Sequence, residues 1–201
     1  MTRFPLHLAS LAIAALLMAG CSILPETAPV QRLDPRIEVD AGAHGPTREL
    51  RLGLPRPETD PARDANRILV RTATGRLQVL PELRWVAPAP DVVQTTLIRY
   101  LRDAEVVVDV IPGAGRVDRA LFIDLRRFEL AETDHGLQLV IDLDARLLDA
   151  VSGQPMNRFH VVHEAPLASA TAADVVAGFE AGLADIAGRI AARLHAVSAE
   201  P

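Results

Sequence analysis

Apolar residues recur along this chain at two periods, two and roughly three and a half, and their order predicts its elements. Ile68, Val70 and Thr72 alternate with Leu69 and Arg71, and Leu77-Gln78-Val79 follows the turn residues Thr74-Gly75, which predicts a hairpin. Pro88 and Pro90 end that extended run. Asp91 is placed to cap a helix over 91–103, on which Val93, Leu97, Tyr100 and Leu101 share a face. The valine-rich run from Glu105 to Ile111 predicts a buried strand, broken by Pro112-Gly113-Ala114-Gly115. Leu121, Ile123 and Leu125 open a strand over 119–130. Leu137, Leu139, Ile141, Leu143, Ala145 and Leu147 then alternate against Gln138, Asp142, Asp144 and Arg146. Turns at Thr133-Asp134-His135-Gly136 and Val151-Ser152-Gly153-Gln154-Pro155 make these two strands, with a third over 158–164, an antiparallel meander with one apolar and one polar face. Thr171 is expected to cap a long helix with the stripe Val176, Phe179, Leu183, Ile186, Ile190, Leu194 and Val197. Gly178 and Gly182 share that helix with Glu180, Asp185, Arg189 and Arg193, which favours close packing on a sheet over a membrane dimer. The expected fold class is α+β: an antiparallel sheet with two helices packed on one face, preceded by a proline-rich tether.

Ahead of residue 66 the periodicity fails. Residues 22–66 carry seven of the fifteen prolines, a composition that favours an extended, semi-rigid spacer. Only Glu49-Leu50-Arg51-Leu52 alternates there, which predicts an edge strand ended by Pro55 and Pro57. From Cys21 to about Glu49, at about 3.1 Å per residue, such a spacer would reach on the order of 80 Å. Before it, Arg3 precedes an almost wholly apolar stretch from Leu6 to Leu17, and Met18-Ala19-Gly20 leads into Cys21. That is the order of an export signal, and the stretch is shorter than the roughly 20 residues a membrane span needs. A cysteine at that boundary resembles the acylated cysteine of bacterial lipoproteins. The alternative is an ordinary cleaved signal with an incidental cysteine. Durable attachment through Cys21 takes more than one acyl chain. Ser22, where an aspartate would favour the inner membrane, leans toward the periplasmic face of the outer membrane. The expected organisation is a lipoprotein signal peptide over 1–20, a lipidated Cys21 and flexible tether over 21–47, and one domain over 48–197.

Composition narrows the function. All 21 basic residues are arginine, and one cysteine is present. Without lysine there is no P-loop and no Schiff-base chemistry. With Cys21 acylated, neither a disulfide nor a thiol nucleophile remains. Removing the signal leaves a net charge of about −6 with no basic block, which argues against a nucleic-acid partner. Of the six histidines, His7 lies in the signal, His44 in the tether, His135 in a turn and His195 near the C-terminus. His160 and His163 are three apart on a strand and point to opposite faces, so they do not share a metal. Asp142 and Asp144 do share a face, and paired carboxylates can perform acid–base work, but a solvated sheet face is the ordinary meaning of such a pair. Ser152 lacks the preceding glycine of a nucleophile elbow. Arg126-Arg127 pairs with acids on neighbouring strands or holds lipid phosphates. No residue is assigned a catalytic, cofactor-binding or metal-binding role, and no cofactor is expected.

The segments Arg67-Ile68-Leu69-Val70, Leu83-Arg84-Trp85-Val86-Ala87-Pro88, Arg127-Phe128-Glu129 and Leu137 to Gly153, in this order around the helix Val92 to Leu101, resemble the ABC-type transport auxiliary lipoproteins. The resemblance covers about 48–197. One departure is Leu52, which stands where a tyrosine is frequent in that family. The resemblance implies a non-enzymatic periplasmic component of an intermembrane lipid-transport system. Its implied partners are a mammalian-cell-entry (MCE) domain protein, a permease and a separate ATPase, with the membrane engaged through the acyl anchor and self-association left open. The alternative is a lipoprotein that assists outer-membrane assembly or binds envelope polymer without a transporter; a periplasmic hydrolase comes third. Trp85 and Arg84 are the candidate partner contacts, since Trp and Arg are enriched at interface hot spots. The competing reading is that Trp85 covers the end of the first helix.

Overall fold

The computed structural model describes residues 29–39 and 45–197. The signal peptide, Cys21, Ser22, His7 and His44 lie outside the described residues. Eight strands form one sheet: β1 (Gln31–Leu33), β2 (Arg48–Gly53), β3 (Arg67–Arg71), β4 (Leu77–Trp85), β5 (Val107–Ile111), β6 (Arg119–Thr133), β7 (Gly136–Asp149) and β8 (Pro155–Pro166). Two helices, α1 (Ala89–Asp103) and α2 (Ala172–Val197), pack into the same core.

The strand β6 organises the sheet. Along one edge it pairs antiparallel with β7 over its whole length, and β7 pairs antiparallel with β8. This is the expected meander. The other edge of β6 is shared by three successive pieces of the N-terminal half. Gly53 of β2 lies beside Ala120, Glu58 bridges to Asp124, and β3 lies beside Glu129 to Ala131, all parallel to β6. The pairs β2–β5 and β1–β4 are parallel too, whereas β3–β4 is the expected antiparallel hairpin. The sheet is therefore mixed, not antiparallel as its pattern suggested. Alternation fixes which face a side chain takes and says nothing about strand direction. Direction here is set by the long connections that parallel neighbours require, from β2 through β3, β4 and α1 to β5 among them.

Two strands sit elsewhere than expected. The strand β2 is interior, between β5 and β6, and Leu52 is fully buried. The strand β1 falls inside the stretch expected to be tether. It pairs with Leu83 to Trp85 of β4, Leu33 is buried, and the Arg36 N–H donates to Glu180 Oε1 at 2.9 Å. The folded part of the chain thus starts well before residue 48.

Local chemistry accounts for the element ends. The helix α1 begins two residues before Asp91, with Pro88 as its N-cap and Pro90 in the first turn, where a missing N–H costs nothing. Asp91 instead accepts from Arg56 Nε at 2.6 Å. At the start of α2 the Thr171 hydroxyl accepts from the Asp174 N–H at 3.3 Å, the expected cap. The buried stripe of α2 runs from Val175, one residue before the expected Val176, through Phe179, Leu183, Ile186 and Ile190 to Leu194. A register shift between Leu125 and Arg127 marks a bulge in β6. It explains why Leu121, Ile123 and Leu125 face the core on odd numbers while Phe128 and Leu130 do so on even ones.

Candidate functional site

The Arg84-Trp85 pair was the candidate partner contact, with a packing role for Trp85 as the competing reading, and the structure separates its two members. Leu83 and Trp85 continue the alternation of β4, so Trp85 points inward and is 0% exposed. Its ring lies 5.3 Å from Phe128 and 4.7 Å from Phe179 between centroids, the latter edge-on, and the two phenylalanines are 4.5 Å apart. Tilted and edge-to-face aromatic contacts at this spacing are favourable beyond their buried area. Trp85 is thus a core residue that joins β4, β6 and α2, and a partner does not reach it in this fold. Arg84 takes the opposite face of the strand, half-buried, with Nη1 donating to the carbonyls of Leu80 and Leu83 at 2.8 Å each. The strand β4 runs through Pro81 to Trp85, and its pairing with β3 shifts register nearby.

The outer face of β3, β6, β7 and β8 carries the richest side-chain chemistry. Glu129, fully buried, accepts from three arginines: Arg63, Arg71 through Nε at 2.7 Å, and Arg127 through Nε at 3.2 Å. Arg63 is itself buried and also pairs with Asp60. Removing a carboxylate from water is costly unless several donors replace the water, and here they do. Beside this cluster Asp144 is gripped by Arg158 and by Arg126 Nη2 at 2.6 Å. The Arg158 hydrogen bond, followed by the charges of Arg158 and Arg126, holds the Asp144 carboxyl below the usual carboxylate range. Asp142 meets His160 Nε2 at 2.6 Å. The two aspartates therefore share a face as the sequence predicts, but each is committed to a basic partner, which leaves no free base beside a free acid. Arg126 and Arg127 pair with acids on β6, β7 and β8, the expected arrangement. A shallow cavity of about 190 Å³ lined by Glu58, Asp124, Asp144, Arg146 and Arg158 opens on this face.

The remaining candidates do not converge. His163 Nδ1 pairs with Asp185 of α2 at 3.0 Å, on the side of β8 away from His160. Ser152 hydrogen-bonds Asp149 within its turn, and His135 lies in the exposed β6–β7 turn. Among the described residues no group of three His, Cys, Asp or Glu is placed to hold a metal ion. Nor is any described helix long and apolar enough to cross a membrane. Sequence reasoning missed the Glu129 cluster because Arg63 comes from a proline-rich stretch with no period, 66 residues away.

A search of curated proteins returned no match. The fold is similar to the crystal structure of a protein from Xanthomonas campestris, at 25% identity and a TM-score of 0.78, covering 84% of this chain and 97% of that one. It also resembles a hypothetical protein from Chlamydia trachomatis at 7% identity and a TM-score of 0.54, over 74% of this chain and 99% of that one, a likeness of fold alone. The family described as the ABC-type transport auxiliary lipoprotein component matches residues 33–191. That match runs from the last residue of β1 into α2, over the other seven strands, α1 and most of α2, and the chain belongs to the ABC-type transport auxiliary lipoprotein family.

Proposed function

We propose that this chain is the non-enzymatic lipoprotein of an MCE-type intermembrane lipid-transport system, held in the periplasm by acylated Cys21 and docking the transporter there. The observation that carries the reading is the family match over residues 33–191, which ties the fold to ABC-type transport. The sole cysteine behind an apolar stretch and small residues supplies the anchor, and Ser22 directs it to the outer membrane. The outer face fits a docking role better than a catalytic one, since its buried acids Glu129 and Asp144 are tied to arginines, and the exposed parts of Arg126 and Arg158 present a charge pattern to a partner. Arg84 stays the candidate contact; Trp85 does not. Affinity purification of the tagged protein from membranes tests the proposal. An MCE-domain protein, a permease and an ATPase should co-purify, and Arg84→Glu, which also gives up the bonds to the Leu80 and Leu83 carbonyls, should weaken their recovery while the variant still melts cooperatively. Recovery of none of the three, or turnover of a lipid, glycan or peptide by the purified chain, overturns it.

A further inference from the structure

The placement of β1 fixes the end of the sheet from which the preceding chain arrives. Register puts Gln31 beside Leu83, Arg84 beside Arg67, and Leu69 beside Glu129. Gln31 therefore lies near the level of Phe128, part-way along β6. Because β1 runs parallel to β4, the chain comes into β1 from the side where β4 begins, the end bearing the β3–β4 hairpin. The β6–β7 turn and the loop before α2 share that end, since β3 is parallel to β6 and stops beside Ala131.

Eight peptide units separate Cys21 from Pro29. At no more than about 3.6 Å each they span at most about 29 Å. From Pro29 the hairpin end lies roughly 15 Å away along the sheet, counting about 3.4 Å per residue. The opposite end, where Arg119 faces Asp149 and the β7–β8 turn projects further, lies roughly 35 Å away or more on the same count. A cysteine fixed in a leaflet reaches the first end and falls short of the second.

That reachable end also presents apolar surface. Leu77 and Val79, on one face of β4, are 40% and 39% exposed. Beside them a groove of about 430 Å³ opens between Val79, Leu80, Leu137 and Ala170. The charges there are mixed, with Arg76 at the hairpin, Glu132 near the end of β6 and Asp134 in the neighbouring turn. Among the described residues no basic patch lies there to draw anionic headgroups, so contact at this end is apolar and interfacial.

We propose that the β3–β4 hairpin end, through Leu77 and Val79, rests against the lipid leaflet that holds Cys21, and that the β7–β8 turn points away from it. The inference depends on Cys21 being the lipid anchor, and the test separates the two claims. In the acylated protein the Cys21 thiol is consumed, so Leu77→Cys and Val151→Cys each offer one thiol for an environment-sensitive fluorophore. Both positions are exposed, Val151 at 90%. The full chain, purified in detergent and returned to phosphatidylcholine vesicles containing a nitroxide-labelled lipid, should show several-fold stronger quenching at position 77 than at 151. Equal quenching, or stronger quenching at 151, overturns the orientation. If the chain without added cysteines still takes up a maleimide at Cys21, the anchor itself is refuted, and the orientation with it.

Discussion

Gly182 of α2 lies directly on Ile141 of β7: a Cβ at position 182 would meet Ile141 Cδ1 at 2.9 Å and His163 Cδ2 at 3.0 Å. Gly178, one turn earlier, stands in the same relation to Leu167 and Leu139. The two glycines let the helix approach the sheet closely, as their placement among charged neighbours suggested. The atoms they would meet are mostly ends of flexible side chains, so a single methyl can be absorbed by rotation. Gly182→Ala gains about 1 kcal/mol of helix propensity against an overpacking cost of about 1–3 kcal/mol, for a small net loss. Gly182→Val loses most of that gain and should fall at or beyond the upper end of the overpacking range. Urea midpoints of the two variants check the order.

Gly53 is the more severe case. A Cβ there would stand 2.3 Å from the carbonyl oxygen of Gly113, which is backbone and does not rotate away. Gly53→Ala should therefore destabilise by about 3 kcal/mol or more, beyond Gly182→Ala. A thermal melt equal to that of the unmodified chain would refute the close approach of β2 to the 112–117 loop.

Trp85→Ala and Phe179→Ala remove members of one aromatic cluster, and each should cost about 3–5 kcal/mol. Ile141→Ala, in the sheet beneath α2, should cost about 2–5 kcal/mol. The Trp85 and Phe179 losses should not add in the double variant, since the rings touch. Denaturant titration of the set gives the coupling. A Trp85→Ala variant of full stability that fails to bind the transporter would restore Trp85 as a contact.

At Glu129 the expected loss is that of a broken buried ion pair. Glu129→Ala leaves Arg63 buried with one carboxylate fewer and should cost about 3–5 kcal/mol. Arg71→Ala, which removes a partly exposed donor while Arg63 and Arg127 remain, should cost far less. Equal effects from the two would mean that the cluster is wetter than its geometry.

Acid should weaken this fold through particular carboxylates. Asp144, hydrogen-bonded to Arg158, titrates below its ordinary value, and so does Asp60, held chiefly by Arg63 against the opposing effect of burial. A lowered folded-state value contributes stability that is fully present above the unfolded-chain value, about 3.9, and is lost as pH falls through the folded-state value. Melting temperature should stay level near neutrality and drop below about pH 4. Asp144→Asn should be the less stable protein at pH 7, and the gap should narrow in acid. A gap that is constant with pH would show that the Asp144 charge contributes nothing.

The meander, the hairpin and α2 were legible because each carries its own period, and even the Thr171 cap could be named. What escaped is what joins them. The bulge at Arg126-Arg127 reverses the phase of β6 midway, and a single alternation rule reads straight past it. The strand β2 was legible from the alternation of Glu49 to Leu52, but its interior place, set by pairing with β5 and β6, was not, and the three residues Gln31-Arg32-Leu33 of β1, among prolines, carry no period of their own. Trp85 was ambiguous for a different reason. Tryptophan suits both cores and interfaces, and only the burial of Leu83 two residues earlier identifies its face.

Burial of Trp85 gives the chain an optical property. It is the only tryptophan, so the indole emission of the protein, excited apart from Tyr100, comes from one place, the junction of β4, β6 and α2. In that dry aromatic setting the emission should lie well to the blue of a hydrated indole. A partner that docks on the outer face should leave it unchanged, whereas one that lifts α2 from the sheet should shift it red. A single fluorescence trace taken during binding thus distinguishes a passive adaptor from a domain that opens.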